Sequence, residues 1–242
     1  MRNIAPFIIG LSFIIGLFIL GKAYKYRSTA NETIIVTGSA EKDFVSDLIV
    51  WNGSYSRKSM DLKAAYAQLK EDENSVRTYL TGKGVQNNEI VFSSVNINKE
   101  FNNQTDKDGN SIGKEFLGYN LSQNVRIESP NVDKIDQISR EATELIQQGI
   151  EFNSSSPLFY YTKLTDIKMD LLAKASADGK QRADIIAKNA GNSLGKLKKA
   201  TLGVFQITGK NSDEDYSYGG TFNTSSKNKT GSITIRMEFA VD

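Results

Sequence analysis

The sequence contains no cysteine and no histidine. Without cysteine there is no thiolate nucleophile, no disulfide, no c-type haem attachment and no acylation site of the lipoprotein kind. Without histidine there is no Ser-His-Asp triad, and zinc sites built on Cys or His are excluded as well. A long basic run is also missing. The net charge is +2, from 30 basic and 28 acidic residues. Outside Lys196, Lys198 and Lys199 the basic residues are dispersed, so the electrostatic footprint of a nucleic-acid binder is absent. That short cluster reads as a solvated helix end. Apolar residues at 39% and charged residues at 24% describe a chain that folds with a well-solvated surface.

One segment departs from this average. Ile4 to Gly21 reads IAPFIIGLSFIIGLFILG, with no charge and one hydroxyl, Ser12. As a helix it spans about 27 Å, close to a hydrocarbon core of about 30 Å. Two readings compete. One is a cleaved signal peptide with Ser28-Thr29-Ala30 as the small-x-small site. The other is a retained transmembrane anchor. Lys22, Lys25 and Arg27 lie between the apolar run and that site, an unusual place for positive charge, and favour the anchor. The chain then divides into an anchor and linker over residues 1–30 and one folded domain over residues 31–242. Arg2 and the amino terminus face three basic residues across the segment, so charge counting slightly favours a cytoplasmic folded part.

Pattern predicts an α+β domain. TIIV at Thr33–Val36 is a short strand bounded by Gly38, and Asp47–Tyr55 is a longer one. A helix follows from Ser59, its expected N-cap, with Leu62, Ala65, Tyr66, Leu69, Val76 and Leu80 at helical spacing; Gly82 and Gly84 stop it. Ile90–Phe101 and Glu115–Glu128 read as a hairpin across a polar loop. Ser129-Pro130-Asn131 opens a second helix that ends at Gly149, and Ile150–Thr162 holds the next strand. The order is β-α-β-β-α-β, a ferredoxin-like core with an antiparallel sheet. A long third helix over Asp166–Asn189 and two C-terminal strands, Leu202–Thr208 and Ser232–Val241, complete it. Gly209–Gly231 reads as a mobile loop. Trp51 is expected in the core.

Several stretches resemble the SIMPL-domain family. These are TIIVTGSAEKDFVSDLIVWNGSYS from Thr33, LGYNLSQNVRIESPNVDKI from Leu117, ASADGKQRADIIAKNAGNSLGKLKKATLGVFQIT from Ala175, and the closing KTGSITIRMEFAVD. The third is the most specific, with Arg182-Ala183 on an alanine-rich helix and Leu194-Gly195 before a strand. Together they cover about residues 31–242. Two positions depart from the pattern: Ser46-Asp47 stands for Pro-Asp, and Gly179 for a common alanine. The resemblance implies an extracytoplasmic envelope protein with no established catalytic site, in a family that includes periplasmic immunogenic and oxidative-stress defence proteins. It outweighs the charge count and places the folded domain in the periplasm or extracytoplasmic space, anchored to the cytoplasmic membrane.

Candidate chemistry is sparse. Asp106-Lys107-Asp108-Gly109-Asn110 starts like an EF-hand loop, but Ser111 and Leu117 occupy the glycine and glutamate positions, so it reads as an Asp-Gly turn. Gly191–Lys196 is one residue short of a phosphate loop and follows a helix, so it reads as a helix stop. N-x-S/T at Asn31, Asn52, Asn103, Asn120, Asn153, Asn223 and Asn228 reflects composition. Asp213, Asp215, Tyr216, Tyr218 and Phe222 share one loop, where acidic and aromatic side chains form a candidate partner-binding surface. No catalytic, metal or cofactor residues are assigned. The expected function is non-enzymatic: self-association as a homo-oligomer, or binding of an envelope partner, in envelope or oxidative-stress protection. The alternatives are a small-ligand-binding envelope module and a hydrolase built on a Ser/Lys pair or two carboxylates.

Overall fold

The computed structural model describes residues 5–29, 32–105 and 111–241. The Asp106–Asn110 turn and the sequon at Asn31 lie outside the described residues. The chain opens with helix α1 (Ala5–Thr29), whose side chains are described over residues 10–24. Strands β1 (Thr33–Val45) and β2 (Leu48–Ser59) lead to α2 (Leu62–Gly82), then β3 (Ile90–Phe92), β4 (Asn96–Thr105) and β5 (Ser111–Ser129). Next come α3 (Val132–Glu141), β6 (Asn153–Ser154), β7 (Leu158–Tyr160) and α4 (Leu164–Asn189). Strands β8 (Leu194–Leu202), β9 (Gln206–Gly209) and β10 (Asn228–Val241) close the chain.

The fold is mixed α and β with antiparallel sheets, but there are two sheets where one was expected. The first runs β1-β10-β8, with β9 also on β10; the second runs β3-β5-β2-β6, with β4 on β5 and β7 on β2. The expected β-α-β-β-α-β order is present from β2 to β7, all within the second sheet. The first and last strands were expected outside the β-α-β-β-α-β core. They pair with each other, residue by residue, from Thr33↔Ala240 to Val45↔Asn228.

Each sheet buries one face against helices. On the second, Trp51, Ile49, Leu121, Val125 and Ile127 pack with Leu69, Val76 and Leu80 of α2 and Ile135 and Ile138 of α3. Trp51 is fully buried, and its indole N–H donates to Ser154 Oγ at 3.0 Å, which satisfies its one donor. On the first sheet, Ile233, Ile235, Met237 and Phe239 pack with Ile167, Leu171, Ala175 and Ala183 of α4.

Several local expectations are corrected. Asp61, not Ser59, caps α2: its carboxylate accepts from Lys63 N at 2.8 Å, while Ser59 Oγ accepts from Asp61 N one step earlier. The expected strand over Leu202–Thr208 is broken between β8 and β9. Lys196, Lys198 and Lys199 belong to β8, an edge strand rather than a helix end. The described side chains of α1 cover only residues 10–24, and among the described residues no helix is long and apolar enough to cross a membrane, so the expected transmembrane helix is not shown by the structure.

Small residues let α4 lie close on its sheet. Ala175, Gly179, Ala183 and Ala187 are all buried and recur every four residues. Arg182 is on the exposed side, its Nε donating to Asp178 Oδ2 at 2.8 Å. Ala183→Leu is expected to destabilise the protein by about 1–3 kcal/mol, since the added atoms have no space to fill. Arg182→Gln should cost under about 1 kcal/mol, because it removes only an exposed helical ion pair. Denaturant melts of the two variants check the ranking, and a larger loss for Arg182→Gln would contradict it.

Candidate functional site

The loop between β9 and β10 carries the residues singled out above. Its polar content predicts mobility, yet hydrogen bonds tie the loop at several points. Gln206 is buried, and its side-chain carbonyl accepts from Thr221 N at 2.7 Å and Ser217 N at 3.3 Å. Its amide donates back to Ser217 O at 2.8 Å. Ile207 N donates to Thr221 O and Asn223 N to Ile207 O, both at 2.8 Å, so Phe222 bridges to Ile207 like a strand residue. Glu214 accepts from Gly209 N at 2.9 Å and from the Asn223 side-chain amide. Those bonds hold its carboxyl below the usual range, with the Gly209 N–H contributing most.

The same loop fastens one sheet to the other. Phe159 N on β7 donates to Thr224 O at 2.7 Å, and Ser46 N, between β1 and β2, donates to Lys227 O at 3.0 Å. Lys227 in turn pairs with Asp133 of α3. On this tied scaffold Tyr218 is fully exposed, and Tyr216 and Phe222 are half exposed or more. Tyr216 is also held at its tip, where its hydroxyl accepts from Ser232 Oγ at 3.2 Å. Asp213 and Asp215 are exposed on the same loop. Sequence reasoning missed Gln206, Asn223 and Lys229, the buried polar residues that shape it.

Lys229 is only 1% exposed. Its ammonium donates to Asn223 O at 2.5 Å and Asn223 Oδ1 at 3.2 Å. Burial pushes its pKa down to about 8, only partly countered by the Glu214 carboxylate. In the unfolded chain the value returns to about 10.5. Between these pH values the unfolded chain holds the proton and the folded protein does not, so stability rises with pH across the window. The rise is expected to reach up to about 3 kcal/mol and to vanish in Lys229→Met. Denaturant midpoints of both proteins at pH 7.5 and pH 10 give the comparison that removes the other titrating groups.

A second polar cluster lies between α2 and the second sheet. Arg57 clamps Asp72 with two hydrogen bonds, Nε–Oδ2 at 2.5 Å and Nη2–Oδ1 at 2.8 Å, and also donates to Gly149 O at 2.8 Å. Glu73 accepts from Lys70 Nζ at 2.8 Å and Gln123 Nε2 at 2.9 Å. Gln123 accepts from Tyr55 OH at 2.7 Å. Burial pushes the Glu73 carboxyl up, and the Lys70 and Gln123 bonds outweigh it, leaving a net lowering. Burial, followed by the Glu73 charge, pushes the Tyr55 phenol well above its ordinary value. Both carboxylates are committed to partners, an arrangement suited to holding α2 on its sheet.

The surface also carries grooves. One of about 490 Å³ is lined by Asn74, Ser75, Thr78, Tyr79, Lys83 and Gln148. Another, of about 510 Å³, lies beside α4 and is lined by Val36, Thr37, Arg182, Ile185 and Ile186.

A family profile, SIMPL, described as a protein of unknown function (DUF541), matches residues 34–239. The chain belongs to the SIMPL family. No curated protein matches it. The stretches that carry the SIMPL resemblance can now be read physically. Asp47 of the Ser46-Asp47 turn accepts from Thr162 N and Thr162 Oγ1, both at 2.7 Å, and so fixes the turn into α4. Ser46, in the place of the pattern's proline, uses a backbone N–H that proline lacks to reach Lys227 O. Gly118, before Tyr119, has φ +123°, and an added Cβ would meet Ser59 O at 2.8 Å. Ala183 of the Arg182-Ala183 pair is buried against the first sheet. Each of these SIMPL positions has a packing or hydrogen-bonding reason within the fold.

Proposed function

We propose that this SIMPL protein is an envelope protein held to the cytoplasmic membrane by α1, with its folded domain on the extracytoplasmic side. It acts without catalysis, by self-association or by binding an envelope partner, in envelope or oxidative-stress protection. The loop bearing Asp213, Asp215, Tyr216, Tyr218 and Phe222 is the contact surface. The observation that carries the anchored reading is the exposure of α1. Leu11, Phe13, Ile14, Ile15, Leu17, Phe18, Ile19 and Leu20 point in every direction around the helix, and each is 52–70% exposed. A helix apolar on all sides requires apolar surroundings, which a bilayer supplies. For the contact surface, the support is aromatic side chains exposed on a loop that is already ordered, so that binding immobilises little further chain.

Light scattering of the full chain in detergent tests the reading, together with photo-crosslinking from position 218 in intact cells. An oligomer that Tyr218→Ser/Phe222→Ser reduces to monomer supports it, as does a defined envelope protein crosslinked at 218. A monomer with no crosslinked envelope partner contradicts it.

A further inference from the structure

The first sheet and α4 have two ends, and they differ in chemistry. At one end β1 begins at Thr33 opposite Ala240, and β10 finishes at Val241 opposite Leu194, where β8 begins. Helix α4 also finishes there, at Asn189. Around this end Ile185, Ile186 and Leu197 are about half exposed. Lys188 of α4 and Lys196 of β8 are also exposed. Lys188 has a helical partner in Asp184 at 2.7 Å, and Glu32 contributes an exposed acidic group. At the other end the charges are tied across elements: Lys210 and Thr230 both hold Asp43, at 2.8 Å and 2.7 Å, and Lys42 holds Asp170 at 2.7 Å.

The chain tethers the Thr33 end to the bilayer and keeps the other end free. From Gly21, the last residue of the apolar run, α1 continues to Thr29, a rise of about 12 Å. Four further Cα steps lead from Thr29 to Thr33 and reach at most about 14 Å. The Thr33 end therefore stays within about 26 Å of the hydrocarbon boundary, and closer when α1 tilts. Head groups fill the first several ångströms of that gap, and electrostatic attraction extends about another 10 Å.

We propose that this end of the first layer is a seat on an anionic lipid surface: Lys188 and Lys196 face lipid head groups, and Ile185, Ile186 and Leu197 rest against the interface. The inference depends on the anchored reading of α1 and adds to it a fixed orientation of the domain. The pairing of exposed apolar groups with basic ones is the pattern of an interfacial surface. Lysines on an edge strand also block strand pairing, but that does not account for the isoleucines on the neighbouring helix.

The test uses the full chain in nanodiscs of phosphatidylcholine, with or without phosphatidylglycerol, plus a trace of nickel-chelating lipid. Because the sequence has no cysteine and no histidine, single nitroxides are placed cleanly and the nickel lipid has no histidine to bind. Labels go on Ile186→Cys, Leu197→Cys, Val91→Cys in the second sheet, and Leu17→Cys in α1. Head-group nickel should relax the labels at 186 and 197 at least twofold more strongly in the anionic discs, and leave 91 unaffected. Lys188→Glu/Lys196→Glu should return 186 and 197 to the level seen in neutral discs. Absent relaxation at 186 and 197, with 17 shielded in the acyl core, overturns the seat while the anchor stands. Relaxation equal in both lipids overturns the anionic chemistry, and protection by a second copy or a protein overturns the lipid occupant. A label at 17 exposed to water overturns the anchor and the seat together.

Discussion

Gly38→Ala is expected to cost about 3 kcal/mol or more. Gly38 lies mid-strand in β1 and faces α4 at a point where both backbones are bare. A Cβ there would overlap Ala175 O and stand 2.6 Å from Gly179 N and 2.8 Å from Gly179 Cα. All three are backbone atoms, so no rotamer change relieves the clash, and α4 would have to lift off the sheet. Gly179→Ala is the informative contrast. Its Cβ would meet the terminal methyl of Met237, which can swing away, and Gly38 Cα at 3.2 Å. Alanine also improves helix propensity by up to about 1 kcal/mol. The Gly179→Ala loss should therefore be less than half that of Gly38→Ala. Denaturant melts of both variants decide it; equal losses would mean that the layer adjusts as a whole.

Arg57→Met should destabilise by about 3 kcal/mol, for a different reason. It leaves the Asp72 carboxylate, whose side chain is 7% exposed, buried without its two charge-assisted hydrogen bonds. It also frees Gly149 O at the end of the 3₁₀ turn that follows α3. The double variant Arg57→Met/Asp72→Leu should recover most of the loss, because buried ion pairs are costly to break and nearly neutral to replace whole. A double variant as unstable as Arg57→Met would show that the guanidinium matters through Gly149 O and the packing of its stem.

The sequence made the second sheet and its helices legible because their signals are local. Leu69, Val76 and Leu80 keep helical spacing, and Trp51 sits among β-branched neighbours. The first sheet was hidden because its partners lie about 200 residues apart in the chain, Thr33 with Ala240. Gly38 added to the error: glycine in a strand pattern reads as an end, and here it marks the close approach of a helix. The loop before β10 was misread for a related reason. Its Gly/Ser/Asn content suggests mobility, but Gln206 and Lys229 reach into it from the flanking strands and satisfy its backbone. Tyr216, Tyr218 and Phe222 were correctly grouped on one loop; the ties that order it depend on contacts that no spacing rule encodes. The SIMPL resemblance was legible over nearly the whole folded part, and the family profile matches residues 34–239.

The most direct test of the anchored, extracytoplasmic reading is a reporter enzyme that is active only in an oxidising compartment, fused after Asp242 of the full chain. The account predicts an active reporter on a membrane-bound protein that keeps its N-terminal helix. An inactive reporter, with a fluorescent protein that matures only in the cytoplasm glowing at the same position, would contradict it.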